Sequence, residues 1–311
     1  MSETAQSEVF EAIRPRLLGL AYRMLGSMAD AEDAVQDTFL KWQGAEQASI
    51  VSPEAYLTTL CTNRCLDYLK AAHRKRVDYV GPWIPEPLQI GTQDDPERDL
   101  ERAQSLTTAF LLLLERLSPK ERAAYLLREV FGKSYPDVAA TLGLSETACR
   151  QLVSRAGRHV KDPAARFVPP PEHQERMLSA FLAALESGSP DRLSVLLADG
   201  VQFQTDGGGK ATALRRVLRG PEAVGKYVAR ILSRLWTGAR LEHLDINGLR
   251  GIAVYDGPRL VTAMTLGYSE DGRIDRIYNI RNPDKLRRLS RPLRHDPANG
   301  ALWNEVCDPG I

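Results

Sequence analysis

The chain has 311 residues, 43% of them hydrophobic and 26% charged, with a formal net charge of +1. That balance fits a globular protein of two or three domains, and the near-neutral charge by itself neither selects nor excludes a nucleic-acid partner. No apolar run approaches the roughly 20 residues needed to cross a bilayer, and the polar start MSETAQSEVFEAIRPR does not read as a signal peptide. A cytoplasmic protein with no membrane partner is expected.

Residues Glu8 to about Lys75 read as helix almost throughout. Apolar positions recur at helical spacing in VFEAIRPRLLGLAYRMLG and in AEDAVQDTFLKW, and Ser52-Pro53-Glu54 opens a further helix with Ser52 as its cap. Charge is segregated here. Between Met24 and Leu40 every charge is acidic (Asp30, Glu32, Asp33, Asp37), whereas from Arg64 to Arg76 five cations face Asp67 alone. Such segregation marks faces with different partners. On the later helix Tyr56, Thr59, Asn63 and Arg64 recur at near three-and-four spacing, followed by Lys70, His73, Arg74 and Arg76. An aromatic and an amide on a basic face suit unpaired bases, although an amphipathic core helix with a basic end accounts for the pattern as well.

Residues 79–98 hold four prolines and two glycines and read as a stiff linker. Helices resume at Asp99 and run to about Ala165, where Pro163 and then Pro169-Pro170-Pro171 mark the next boundary. Within that unit Tyr135 to Leu142 makes a short helix, Gly143 turns the chain, and Ser145 caps a second helix with Glu146 in its first turn. Val138, Ala139, Leu142, Leu144, Ala148, Leu152 and Ala156 can pack together. Thr147, Arg150, Gln151, Ser154, Arg155 and Arg158 are left outward. This is a helix-turn-helix whose second helix carries donors for major-groove edges and phosphates.

After Glu172 two helices precede the strand-like VQFQTD. A third helix, PEAVGKYVARILSRLW, is followed by four strand-like runs separated by NG, DG and EDG turns. The expectation is an α+β domain with a curved antiparallel sheet. Acid–base candidates in it are Asp206, His243, Asp245 and Tyr255. His243 and Asp245 share a strand face with Leu241, opposite the more apolar Leu244 and Ile246, which points the pair away from the core. The stretch DGGGK, Asp206 to Lys210, suggests a phosphate loop, but Gln204 and Ala211 stand where a Walker loop needs Gly and Ser or Thr. Glycines at a strand end more often permit positive φ or the close approach of another backbone. Cys61, Cys65, Cys149 and Cys307 show no zinc spacing and read as free thiols. No catalytic residue, metal or cofactor is assigned.

LAYRMLGSMADAEDAVQDTFLKW followed by YLTTLCTNRCLDYLKAAHRKR resembles region 2 of an extracytoplasmic-function (ECF) sigma factor, and LSPKERAAYLLREVFGKSYPDVAATLGLSETACRQLVSRA resembles region 4. The resemblance implies that Asp30, Glu32, Asp33, Gln36, Asp37 and Phe39 dock on core RNA polymerase. It implies that Tyr56, Thr59, Asn63, Arg64, Lys70, His73, Arg74 and Arg76 open and read the −10 element as a single strand. Thr147, Arg150, Gln151, Ser154, Arg155 and Arg158 would read the −35 duplex, with Gly157 standing where the family often has a basic residue. WIPEP (Trp83 to Pro87), DGGGK and NPDKL (Asn282 to Leu286) are similar to motifs of the SigJ-type subgroup, in which a SnoaL-like domain is fused to the sigma core as a built-in regulator. Trp83, Pro85, Glu86 and Pro87 would then meet Asp206, Gly207, Gly208, Gly209 and Lys210 together with Asn282, Pro283, Asp284 and Lys285. The implied division is 1–78 (region 2), 79–98 (linker), 99–166 (region 4), 172–289 (SnoaL-like cone) and 290–311 (tail). Binding of a small ligand in the cone stays open. So does a SnoaL-like enzyme or ligand sensor joined to a helix-turn-helix regulator.

Overall fold

The computed structural model describes residues 3–46, 50–77, 79–89 and 104–289. The second half of the linker, the helix start at Asp99, Cys307 and the tail lie outside the described residues, as do the side chains of His73, Arg74 and Arg76.

The N-terminal unit is three helices: α1 (Glu3–Leu25), α2 (Met28–Gln43) and α3 (Pro53–Val77). Ser27 begins α2 by accepting the Asp30 N–H. Phe10, Leu17, Met24, Trp42, Leu57, Cys61 and Cys65 interlock as its core, and the two cysteines are buried free thiols. The second unit holds α4 (Thr108–Leu114), α5 (Pro119–Tyr125) running into a π turn (Leu126–Val130), α6 (Tyr135–Leu142), α7 (Glu146–His159) and α8 (Pro163–Arg166). Ser134 and Asp137 form a reciprocal capping box on α6, Gly143 ends that helix at φ 62°, and Ser145 caps α7. Local chemistry alone dictates this turn.

The third unit contains α9 (Pro171–Glu186), α10 (Pro190–Leu196) and α11 (Pro221–Tyr227), which continues through a π turn to Leu235, and ends at α12 (Pro283–Leu286). Its strands are β1 (Leu197–Asp206), β2 (Leu218–Arg219), β3 (Arg240–Ile246), β4 (Leu249–Asp256), β5 (Arg259–Tyr268) and β6 (Ile274–Ile280), in the order β2-β1-β6-β5-β4-β3. The hairpin-linked strands pair antiparallel as expected, but β1 and β6 run parallel, so the sheet is mixed. β1 enters from the helices, and its neighbour arrives only at the far end of the meander. Register shifts in β1, β4 and β5 bend the sheet.

One face of this sheet, with Phe203, Ile252, Met264 and Ile277, packs on α9 and α11. The other face, with Ala263, Tyr278 and Ile280, joins the cluster formed by the first two units. β5 is buried on both faces over most of its length, and a strand of that kind needs a second layer. The sigma-like units supply it. The first half of the linker is part of the same interior: Ile84, Pro85, Glu86, Pro87 and Leu88 are all buried. It is packed core and not a free spacer.

Candidate functional site

The three motifs meet around one carboxylate. Asp206 ends β1 fully buried. Its Oδ1 accepts from the Tyr79 hydroxyl at 2.5 Å, and its Oδ2 accepts from the Ile84 N–H at 2.9 Å and from Lys285 Nζ at 2.7 Å. A buried charge is tolerable only when paired and hydrogen-bonded in this way. Lys285 also donates to the Ile84 carbonyl and lies over the rings of Trp83 (4.3 Å) and Tyr79 (5.3 Å). Burial, and then the Asp206 carboxylate, push the Tyr79 phenol up, so it remains a donor. Asn282 donates to the Tyr79 oxygen at 3.0 Å and its N–H to the Asp206 carbonyl at 2.9 Å, while Pro283 starts α12.

The glycines have separate tasks. Gly208 sits at φ 57°, and a Cβ there would lie 2.2 Å from Asn282 Nδ2 and 3.1 Å from the Tyr79 oxygen. Gly209 abuts Val80, whereas Gly207 closes on its own loop at the Ala211 carbonyl. Lys210 does not reach the sigma-like units or the linker. It pairs with Asp284 inside its own domain, because the loop turns back on Gly207.

Glu86 makes a second junction. Only 5% exposed, it accepts the Met28 N–H at 2.8 Å and so caps α2 from outside. Its own N–H donates to the Gly26 carbonyl at 2.8 Å, and its carbonyl accepts from the Tyr22 hydroxyl at 2.8 Å. Burial raises the Glu86 carboxyl above the usual range, against the pull of the Met28 N–H and of Arg288 at 3.2 Å. Arg288 also grips Glu32 with both terminal nitrogens, Nη1 to Oε1 at 2.9 Å. The Trp83 ring fills the space beside Gly26, where a Cβ would lie 2.4 Å from it. Asn247, buried at φ 51°, accepts the Leu88 N–H, donates its own N–H to the Leu88 carbonyl (both 2.8 Å) and donates Nδ2 to Thr108 Oγ1 at 3.2 Å.

On α2, Asp33 and Gln36 are exposed, while Asp30, Glu32, Asp37 and Phe39 are half-buried. Asp37 holds Arg64 at 2.6 Å, and the Phe39 ring packs on Phe10. On α3, Asn63 and Lys70 are exposed. Tyr56 is half-buried with its ring 6.0 Å from Trp42, and Thr59 contacts Thr141 of α6 at 3.4 Å. The helix-turn-helix therefore lies against α3. Lys133 reinforces this contact at 2.5 Å from Glu54, holding that carboxyl below its usual range, and the Arg122 guanidinium donates to the Met24 carbonyl at 2.5 Å. Thr147, Arg150, Gln151, Ser154, Arg155 and Arg158 all stand exposed on α7, with Arg155 3.3 Å from Glu121.

His243 is exposed and 3.0 Å from Glu175, Asp245 pairs with Arg250 at 3.0 Å, and Arg240 covers the Tyr255 ring. Among the described residues no group of three His, Cys, Asp or Glu could hold a metal, and no helix is long and apolar enough to cross a membrane. Sequence reasoning missed Tyr79, Asn247 and Arg288 as contact residues. The Asn-Gly turn at 247 was legible as a turn, but its side-chain bonds depend on a partner 159 residues away.

Residues 9–75 match the sigma-70 region 2 family and residues 107–160 the sigma-70 region 4 family. The chain is 35% identical to the ECF RNA polymerase sigma factor SigJ of Mycobacterium tuberculosis, over 89% of this chain and 92% of that protein. It is 29% identical to the probable ECF RNA polymerase sigma factor SigI of the same species, over 94% and 98%. The crystal structure of M. tuberculosis SigJ superposes with a TM-score of 0.70 at 33% identity, covering 92% of this chain and 99% of that one.

Proposed function

The chain belongs to the ECF RNA polymerase sigma factors, and we propose that its third domain sets when the first two engage polymerase and promoter in the cytoplasm. In this reading the acidic face of α2 docks on core polymerase, α3 opens and reads the −10 element, and the exposed face of α7 reads the −35 duplex. The domains divide at 78, 98 and 166, with the α+β regulator over 172–289. The third domain favours a closed arrangement in which these faces cannot all be used together. It does so without turnover, since the carboxylate of Asp206 is spent on the linker.

The observation that carries the reading is Arg288, which grips Glu32 of the docking helix and Glu86 of the linker at once. Partners held by a tether meet at an effective concentration of roughly millimolar order, so a modest contact is enough to bias the equilibrium. Support also comes from the contact of α6 with Thr59, which covers part of the −10 face. The test is promoter-specific transcription by core polymerase with the full chain and with Arg288→Gln. Output should rise at equal protein concentration, and unchanged or lower output would remove the regulatory reading.

A further inference from the structure

The loop after the glycines carries three arginines that the interdomain contacts do not use. Arg215, Arg216 and Arg219 are exposed, and among the described residues none is paired with a carboxylate. Nearby acids are already engaged: Asp284 by Lys210 and Arg287, Asp206 by Lys285, and Glu222 by Lys226. The loop is nevertheless fixed in place. Arg281 Nη1 donates to the Thr212 carbonyl at 2.6 Å, β2 pairs with β1 at Phe203 and Leu218, and the Leu214 carbonyl and Arg215 Cα lie against Gly81. A fixed loop bearing unpaired arginines is an electrostatic footprint for a polyanion.

Its position names the polyanion. Gly81 follows Val77, the last residue of α3, by four residues, which span at most roughly 14 Å. The basic end of α3 and the loop are thus within a fraction of one duplex turn of each other. DNA carries a charge every ~1.7 Å along its axis, so a duplex running beside α3 presents phosphates within an arginine's reach of the loop. We infer that Arg215, Arg216 and Arg219 contact promoter phosphates adjoining the segment that α3 reads, giving the third domain a direct, sequence-independent hold on DNA. The inference rests on the promoter role of α3. It adds a task to the third domain: the Gly81 contact holds the loop beside α3, so DNA that reaches the end of α3 meets the third domain as well.

The experiment measures binding of labelled promoter duplex by polymerase loaded with the full chain, across a salt series. Converting all three arginines to Gln should lower the slope of log K against log salt by up to about 3, equally on promoters of different sequence. Converting all three to Lys should keep the slope, since positive charge is retained. A control with Arg176→Gln and Arg192→Gln, exposed on α9 and α10, should leave it unchanged. An unaltered slope in the triple Gln variant overturns the inference, whatever α3 does. So does a loss confined to association with polymerase in the absence of DNA, which would make the loop a protein-binding surface. Lys70→Gln on α3 is measured in parallel, and its result decides the promoter role of α3 separately.

Discussion

Lys285→Met is the sharpest perturbation of the interdomain junction. It leaves Asp206, fully buried, with two hydrogen-bond donors and no cation. Removing one partner of a buried ion pair costs about 3–5 kcal/mol. Protonation limits the loss, since neutralising an ordinary aspartate at pH 7 costs about 4 kcal/mol. An expected cost of about 3–4 kcal/mol corresponds to roughly a 150- to 700-fold shift toward the released linker. The Ile84 amide reports it directly, because that N–H donates to Asp206. Its hydrogen exchange at pH 7 should accelerate by two orders of magnitude or more, while the buried Ile277 amide in β6 keeps its wild-type rate. Adding Asp206→Asn removes the stranded charge and should recover most of the loss. Less than tenfold acceleration at Ile84, or equal acceleration at Ile277, would refute the view that this pair fixes the linker locally.

Two further outcomes are expected. Gly208→Ala meets both a positive φ and Asn282, so it should lower the melting temperature and raise exchange across 79–84. Gly200→Ala, with nothing within 4 Å, should be close to neutral. Asp275, 14% exposed beside Arg276, has its carboxyl pushed up to about 6 by burial, against the pull of Arg276. The unfolded chain releases that proton near pH 4, so this group costs the fold nothing below pH 4. The cost grows as the pH rises to about 6 and is complete above it. Asp275→Asn should therefore stabilise the protein above pH 6 by up to about 3 kcal/mol and leave it unchanged at pH 4, measured by urea denaturation at each pH.

What was legible in the sequence is what short-range chemistry determines. Gly143 and Ser145 lie two residues apart, and the turn and the cap of α7 follow from residue type alone. The outward set on α7 likewise follows from helical period, and every member is exposed. The hairpin strands were readable from their alternation and turns. The parallel pairing of β1 with β6 was not, because nothing in either strand names a partner more than 70 residues away. Lys210 shows the limit of motif reading: the motif located the loop, but the side chain's partner was settled by a backbone turn through Gly207. The burial of the linker was not legible in its composition for a related reason. Prolines mark a segment that is neither helix nor central strand, and that holds equally for a solvated tether and for a buried, extended strip satisfied by side chains of other segments.

Glu86 as the outside cap of α2 has an evolutionary consequence. The helix that bears the acidic face is completed by a residue from the linker, which is itself held by the third domain through Ile84 and Leu88. Inheritance must therefore act on the three pieces as one. Transplanting the third domain onto a sigma factor with a different linker would strand Asp206 and Asn247 without their ligands, and an insertion or deletion between Tyr79 and Leu88 would uncouple both ends at once. The third domain is heritable only together with the strip of chain it holds.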